Sequence, residues 1–526
     1  TDGSNPIVGE MGTGTIYTGP IAISQNICIR AAAVKAGWKP TNIDTHTYVF
    51  DANGVGGYSI SALKSVPIYS IVGDPDTTFW GETGIFNQPT FRYRGIEYER
   101  PISFEILDAN TGLSTQLDCG IRVAGGSYIR ERYTVGEDWQ CTMNKISTRV
   151  NFRSSYGDSE LLYPAFPLAG TEYFKAMQIR AGQNDRCNPF INDEWFRRLS
   201  KDMGGVASTG TIANLFLNGK FKSYINPCQR YHDDFFKDYY NVETDWDVIT
   251  HGGVRDGDNV AYEADRSFFM SHDMTVPANY AQAGQRVDIV NLIDYLIIEL
   301  YSTNWDWPGN NWVVSRERSP EGKWRFHCWD MEYMDGIYTS PGLNIDYNNF
   351  ANLSSDSNWL VFFNRLKNNP DFTMLWADRV QEHFYYDGAL TQQNLVRRWT
   401  ELQQQISQLV NVKTRTLDYF IPGRTAVLLN IFKNEGFFPG QGPDFQINGV
   451  SQHGGYAQIN DLLTMTNPGV SGTIYYTLDG SDPRLPGGAL NTSADPYSEA
   501  ISLDSTVVVK ARVKDGTTWS ALHEAT

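Results

Sequence analysis

Three polar residues in one stretch of the chain have the types and spacing that phosphoryl transfer requires. Asp306 stands five positions before Asn311, and a predicted strand over residues 324–329 carries a second carboxylate, Asp330, at its end. In enzymes that transfer phosphoryl groups, the first Asp orients or deprotonates the acceptor hydroxyl, and the Asn and second Asp hold metal ions on the phosphates. The same loop also fits a Pro-Gly turn with side-chain caps, so a structural interpretation stays open.

Regular elements are needed on both sides of this loop to position its side chains. Apolar residues recur at helical spacing over residues 288–301, which predicts an amphipathic helix buried on one side. That helix would deliver the loop, and the strand over 324–329 would return Asp330 to it. An Asn218-Gly219 pair predicts a second hairpin, and residues 251–258 read as a loop. A long polar helix is predicted from Thr391 to about Val412.

Composition sets limits on the class of protein. The chain has 526 residues, of which 41% are hydrophobic and 13% aromatic, so we expect several globular domains and a large core. A formal net charge of -17 argues against a nucleic-acid partner, because phosphate backbones bind basic faces. ATP stays compatible, since it needs only a local cationic pocket and a metal. No apolar run has the length of a membrane span, and the six cysteines form no Cys-x-x-Cys pair, so we expect no zinc cluster.

The two ends of the chain carry an internal repeat. An Asp-Gly-Ser-Asn/Asp-Pro turn occurs at residues 2–6 and again at residues 479–483, followed in both copies by short strand patterns. The pattern resembles the immunoglobulin-like module at the C-terminus of chitobiases and hexosaminidases. We expect all-β sandwiches at 1–51, where the first strand is missing, and at 444–526. Residues 51–66 and 438–443 read as linkers, and the modules read as spacers more than as lectins.

The segment between the modules resembles the CotH family, the spore-coat-protein-H type of atypical protein kinase. The resemblance rests on the stretch from Asp306 to Asp330, on the Leu-Asn-Gly hairpin that ends at Gln229, and on the Arg122-Val-Ala-Gly turn. It covers about residues 65–437. It implies an α+β fold with a bilobal kinase-like core, in which a β-rich N-lobe and an α-rich C-lobe enclose the active cleft.

The resemblance also assigns roles to individual residues. By it, Asp306 is the catalytic Asp, Asn311 and Asp330 are metal ligands, and Lys145, Arg149 and Gln229 bind the nucleotide. The implied cofactors are ATP and Mg²⁺ or Mn²⁺. Two positions depart from the family pattern, because Ile146 replaces the ATP-contacting lysine and Gln229 replaces the glutamate that would pair with it. The neighbouring Lys145 would face the other side of an ideal strand.

Two hypotheses about function follow. In the first, the chain is a CotH-like kinase that transfers the γ-phosphate of ATP to Ser or Thr of secreted or surface proteins. In the second, it is a catalytically degraded pseudokinase module of an extracellular or cell-surface structural protein, in a homo-oligomer or polymer. Both expect a protein partner, an extracellular or cell-surface location and no membrane span, and the domain mix suggests a bacterial source.

Overall fold

The fold is given by a computed structural model that describes residues 2–8, 11–12, 14–50, 58–87, 93–125, 146–182, 189–334, 343–469 and 471–526. Helices and strands both occur, which confirms the α+β prediction. The chain divides into two compact units. The first contains Thr1–Trp195, Ser208–Glu243 and Thr400–Thr414, and the second contains Phe196–Ala207, Thr244–Trp399 and Arg415–Thr526.

A closed seven-stranded barrel forms the centre of the first unit. Its strands, in chain order, are Ile68–Val72, Arg100–Leu107, Ser114–Val123, Thr148–Asn151, Ala176–Arg180, Ala213–Leu217 and Lys220–Cys228. The first strand pairs in parallel with Ala213–Leu217, and the other pairs are antiparallel. Alternate side chains, among them Phe104, Ile121 and Val150, fill the interior.

The predicted Asn-Gly hairpin is confirmed within this barrel. Asn218 and Gly219 have φ of 48° and 75°, the left-handed values that a tight two-residue turn between antiparallel strands requires. The first unit also contains shorter elements around the barrel. They are the strands Leu161–Leu162 and Tyr173–Phe174, the helix Asp233–Tyr240, and the helical turns Pro75–Trp80 and Ile96–Tyr98. The helix Asn192–Asp202 begins in the first unit and continues into the second.

The N-terminal module packs on the outside of the barrel in the same unit. Its strands pair as Ile7–Val8 with Met11–Gly12 and as Ile27–Ala31 with Asp44–Tyr48. Thr47 donates its backbone N–H to Glu105 Oε1 at 3.0 Å and its hydroxyl to the other carboxylate oxygen. The prediction of a linker at 51–66 is partly wrong, since its second half contains the helix Ile60–Lys64, capped by Ser59.

The second unit combines a four-stranded antiparallel sheet with helices. The order across the sheet is Gly253–Asp256, Trp246–Thr250, Trp312–Glu317 and Arg325–Cys328. The loop prediction for 251–258 is therefore wrong for its centre, which pairs as a strand. The helices are Val260–Ser271, Pro277–Arg286, Ile289–Ser302, Leu360–Leu366, Pro370–Phe384, Gln392–Ile406 (which runs on into the first unit) and Ile421–Asn434, with helical turns at Asn349–Ser354 and Thr416–Phe420.

A β-sandwich ends the second unit. One sheet contains Asp444–Ile447, Val450–Ser451, Asp461–Thr466 and Ile501–Leu503, and the other contains Thr473–Thr477, Asp495–Pro496, Val509–Asp515, Thr518–Trp519 and His523–Ala525. Phe445, Met465 and Val513 belong to the core between them. Residues 438–443, predicted as a linker, are fixed by hydrogen bonds, because Gly442 N donates to Gln381 Oε1 at 3.0 Å and Ala521 N donates to Gly440 O at 3.0 Å.

Candidate functional site

The register of one hairpin brings Asn311 and Asp330 together. Trp312 pairs with Cys328, so the residues just outside this pair lie at the same end of the sheet. There the Asn311 side-chain nitrogen donates to the backbone oxygen of Asp330 at 3.2 Å. Both residues have left-handed backbones, with φ of 56° and 57°. Asn and Asp adopt this conformation more readily than other residues with side chains, which is a local reason for finding them here.

A buried helix delivers Asp306 to the same loop region. The helix Ile289–Ser302 begins with Asp288, whose side chain accepts from Asn291 N at 3.1 Å, and it ends at Thr303 with φ of 56°. The chain then passes through Trp305, whose N–H donates to Tyr333 O at 2.9 Å. This bond ties the residue before Asp306 to the segment after Asp330, so the loop and the end of the hairpin are held side by side.

The electrostatics of Asp306 suit a proton acceptor. Its side chain is exposed, yet the surrounding protein removes part of its hydration, and this desolvation raises the pKa of the carboxyl group above its usual value. The negative charge of Asp330 raises the pKa further, whereas the charge of His251 lowers it. A carboxylate with a raised pKa accepts a proton more readily than an ordinary one, as general-base chemistry requires.

The hairpin tip that carries His251 was not predicted to belong to this site. Thr250 pairs with Val313 in the sheet, so the next residue, His251, lies beside Trp312 at the end where Asn311 and Asp330 meet. From the next strand, the Arg255 guanidinium lies over the Trp329 ring, 5.5 Å from its centroid. The Gly252-Gly253 pair was the local signal for a tight turn, but only the register shows where the turn lies.

The side chains proposed as metal ligands are of the chemical type that magnesium and manganese prefer. Asp306, Asp330 and Asn311 offer two carboxylates and one carboxamide, which are the ligand types that hard divalent cations prefer. The bond from the Asn311 nitrogen to Asp330 fixes the orientation of that amide. Within the ranges that the structure describes, no group of three His, Cys, Asp or Glu side chains forms a metal cluster.

The residues predicted to bind the nucleotide belong to the first unit. Arg149 lies on the barrel strand Thr148–Asn151, and Gln229 directly follows Lys220–Cys228, with Ala176–Arg180 between them. The Arg149 Nε atom is buried and has no hydrogen-bond partner among the described residues. An anionic ligand would supply the acceptor that this N–H lacks.

The two departures from the family pattern both lead to structural contacts. Gln229 Oε1 accepts from the backbone N–H and the hydroxyl of Thr209 at 3.2 and 3.1 Å. Ile146 is 1% exposed and packs in the barrel core. Lys145 lies outside the described residues. The nucleotide-binding roles of Lys145, Arg149 and Gln229 stay predictions.

Comparisons with known proteins give three family matches. Residues 256–423 match a family described as CotH kinase protein, and residues 452–523 match the chitobiase/β-hexosaminidase C-terminal domain. Residues 1–48 match a family described as Fn3 associated, which differs from the chitobiase-type module expected there. A comparison with curated proteins finds no match. The segment that contains Asp306, Asn311 and Asp330 is therefore similar to the CotH kinase family, as its sequence motifs indicate.

Proposed function

We propose that this chain is an atypical protein kinase that transfers the γ-phosphate of ATP to Ser or Thr hydroxyls of secreted or surface proteins. The observation that carries the proposal is the hairpin register that joins Asn311 to Asp330 beside Asp306. The family match over residues 256–423 supports the reaction class. The acidic net charge of -17 suits a protein that stays soluble outside a cell.

Asp306, Asn311 and Asp330 each have one role in this proposal. Bound ATP with Mg²⁺ or Mn²⁺ supplies the phosphoryl group and neutralises its charge. Asp306 orients the acceptor hydroxyl and receives its proton on a carboxylate oxygen, which its raised pKa favours. Asn311 and Asp330 would hold the metal through their side-chain oxygens, and the hydrogen bond between them keeps the two residues in a fixed relation.

Lys145, Arg149 and Gln229 complete the proposal on the nucleotide side. The buried Arg149 Nε is the strongest support, because an N–H of a guanidinium that is shielded from water favours a charged acceptor such as a phosphate oxygen. Arg149 pairs across the strands with Arg122, whose own guanidinium lies 3.7 Å from the buried Glu99 carboxylate, so Arg149 is the cation assigned to the phosphates. Gln229 would act through the Thr209 contact and not as a charge partner.

A second candidate function is a pseudokinase module of an extracellular structural protein. The observation that favours it is the burial of Ile146 in the barrel core, since this position carries the ATP-contacting lysine in the resembling family. An aliphatic side chain there cannot bind phosphate. Under this alternative the acidic site is retained without turnover, and the flanking β modules link neighbouring proteins in an assembly.

Metal-dependent binding of ATP, measured by calorimetry, and phosphate transfer together separate the two candidates. We expect the wild type to bind ATP in the presence of Mg²⁺ or Mn²⁺, and Asp330→Ala to lose at least ten-fold in affinity. Asp356→Ala removes a surface carboxylate that pairs with Arg365 in the same unit and should bind like the wild type. Phosphate transfer to Ser or Thr should then be lost in Asp306→Ala. A folded wild type that binds no ATP at millimolar concentration rules out the kinase proposal.

A further inference from the structure

An exposed tryptophan stands directly before the proposed catalytic residue. Trp305 is 51% exposed, whereas its neighbours in the loop, Asn304 and Trp307, are 0% and 1% exposed. The chain therefore turns one large aromatic side chain outward at the position next to Asp306. Adjacent residues have Cα atoms about 3.8 Å apart, so this exposed aromatic residue lies next to the proposed catalytic carboxylate in the chain.

Trp305 is held in place by one contact of its indole ring and one of its backbone. Its ring lies 5.7 Å from the ring of Tyr347, centroid to centroid, at an interplanar angle of 37°. Its backbone N–H donates to Tyr333 O at 2.9 Å. Trp305 and Tyr347 therefore form a pair of aromatic rings, one of them on the residue before Asp306, which we call the aromatic platform.

A buried arginine fixes both sides of the aromatic platform. Arg424 Nη1 donates to Ile345 O at 2.6 Å and to Tyr347 O at 2.9 Å. The same guanidinium donates to Tyr301 O at 3.1 Å and to Leu300 O. Burial lowers the pKa of Arg424 to about 10, so it stays cationic at neutral pH. One side chain thus ties the segment with Tyr347 to the helix end that leads into Trp305.

An aromatic surface that is both exposed and held in place indicates recognition. Covering an apolar ring that is exposed to water lowers the free energy of the complex. A ring that is already ordered also loses little conformational entropy on binding. Trp and Tyr are the residues most enriched among energetically dominant binding contacts. Trp305 directly precedes Asp306 in the chain, so we expect the ligand that covers its ring to be the one that presents the hydroxyl.

We propose that the aromatic platform of Trp305 and Tyr347 binds the acceptor polypeptide through a planar or apolar side chain, such as Tyr or Pro, next to the phosphorylated Ser or Thr. The inference rests on the proposed kinase function and adds a substrate preference to it. The aromatic rings bind the flanking side chain, and Asp306 receives the hydroxyl proton. The hydroxyl oxygen then forms the bond to phosphorus as the bond to the departing ADP oxygen breaks.

Short serine peptides whose flanking residues are Tyr, Pro or Ala test this preference with the full chain, ATP and Mg²⁺. Phosphopeptide formation and ATP hydrolysis are measured on the same preparation. We expect wild-type kcat/KM to be at least ten-fold higher for the Tyr- and Pro-flanked peptides than for the Ala-flanked one. Trp305→Ala should abolish this ratio mainly through KM, and Tyr347→Phe should keep it.

Tyr456→Ala provides the matched control, because Tyr456 is a fully exposed aromatic residue of the C-terminal sandwich and should leave every rate unchanged. Tyr347→Ala is a second test should Trp305→Ala fail to fold. An active wild type without flanking preference, or a Trp305→Ala variant that keeps it, overturns the aromatic platform alone. Phosphorylation of a chitooligosaccharide in place of peptides overturns the polypeptide assignment. A wild type that neither binds nor hydrolyses ATP overturns the kinase function and this inference with it.

Discussion

Asp306 is subject to opposing electrostatic influences. Desolvation and the negative charge of Asp330 raise the pKa of its carboxyl group, and the positive charge of protonated His251 lowers it. A bound divalent cation would offset the repulsion between the two carboxylates, so metal binding and the protonation of Asp306 are coupled. His251 therefore contributes to the balance without being one of the proposed metal ligands.

Replacing His251 tests this balance through the pH dependence of activity. In His251→Gln the cation that favours the ionised form of Asp306 is gone, so the pKa of Asp306 rises. Because the proposed base must be ionised to accept a proton, the acidic limb of the kcat/KM profile should move to higher pH. The measurement is phosphate transfer across the acidic range at saturating Mg²⁺.

The control for this variant is His272→Gln, which changes an exposed histidine at the end of the helix Val260–Ser271, where it stacks on Phe268. It should leave the acidic limb where the wild type has it. A shift of the His251→Gln limb to lower pH would contradict the electrostatic role of His251.

The grouping of Asp306, Asn311 and Asp330 could be predicted from sequence, but the position of His251 near them could not. Asp306 and Asn311 share one loop, and Asp330 ends the next strand, so local spacing is enough to relate them. His251 stands more than fifty positions before Asp306, and its place depends on the pairing of Thr250 with Val313. Strand register of this kind is decided by burial across the whole sheet, which periodicity alone does not encode.

Among the elements, the core helix and the strand before Asp330 are joined by a pair of side-chain hydrogen bonds. The strand Arg325–Cys328 is at the edge of its sheet, and an edge strand exposes unpaired backbone groups. Asn291, on the helix Ile289–Ser302, provides hydrogen-bond partners for two of these backbone groups. Its side-chain oxygen accepts from Phe326 N at 2.6 Å, and its side-chain nitrogen donates to Phe326 O at 3.2 Å. The amide thus replaces a neighbouring strand at one residue.

Removal of this amide should weaken both the fold and the site. Asn291→Ala leaves the N–H and C=O of Phe326 without partners in a partly buried place, which we expect to cost about 2 kcal/mol of unfolding free energy. The strand that positions Asp330 would also lose its anchor, so the affinity for metal and ATP should fall. Urea unfolding and calorimetry measure the two effects.

Asn394→Ala is a suitable comparison, since Asn394 also donates to two backbone carbonyls, those of Asp387 and Gly388, at the start of another helix. It should lower stability and leave ATP affinity per folded molecule unchanged. Equal ATP affinity in folded Asn291→Ala and the wild type would show that the amide supports the fold alone.

Sequence patterns predicted the elements whose signal is local. The core helix has apolar residues at helical spacing, and the Asn218-Gly219 pair specifies its hairpin by backbone conformation. The strand Gly253–Asp256 is only four residues long and is exposed or half-buried throughout, so it has no hydrophobic alternation to detect. Residues 438–443 have the composition of a linker, but their backbone groups bond to Gln381 and Ala521, which are distant in sequence.

At the scale of the whole molecule, the C-terminal sandwich is joined to the helices of the second unit by a buried arginine. Arg512, on the strand Val509–Asp515, donates to both carboxylate oxygens of Asp378 at 2.7 Å. It also donates to both oxygens of Asp482, within the sandwich, at 2.7 Å. These carboxylates raise the pKa of the Arg512 guanidinium although burial opposes the charge. The sandwich is thus joined by a buried ion pair to a helix of its own unit.

Breaking this junction tests whether the sandwich and the helices unfold together. Arg512→Met keeps much of the side-chain volume but leaves Asp378 and Asp482 without their shared cation, which we expect to cost about 3 kcal/mol. Asp482 is a third exposed, which keeps the loss at the lower end for broken buried ion pairs. Lys510→Met, on the same strand, removes only a surface pair with Glu524 and should cost about 0.5 kcal/mol.

In chemical unfolding followed by tryptophan fluorescence, we expect one cooperative transition for the wild type and an earlier, separate sandwich transition for Arg512→Met. Equal stability of the two variants would mean that apolar packing, and not Arg512, joins the sandwich to the helices.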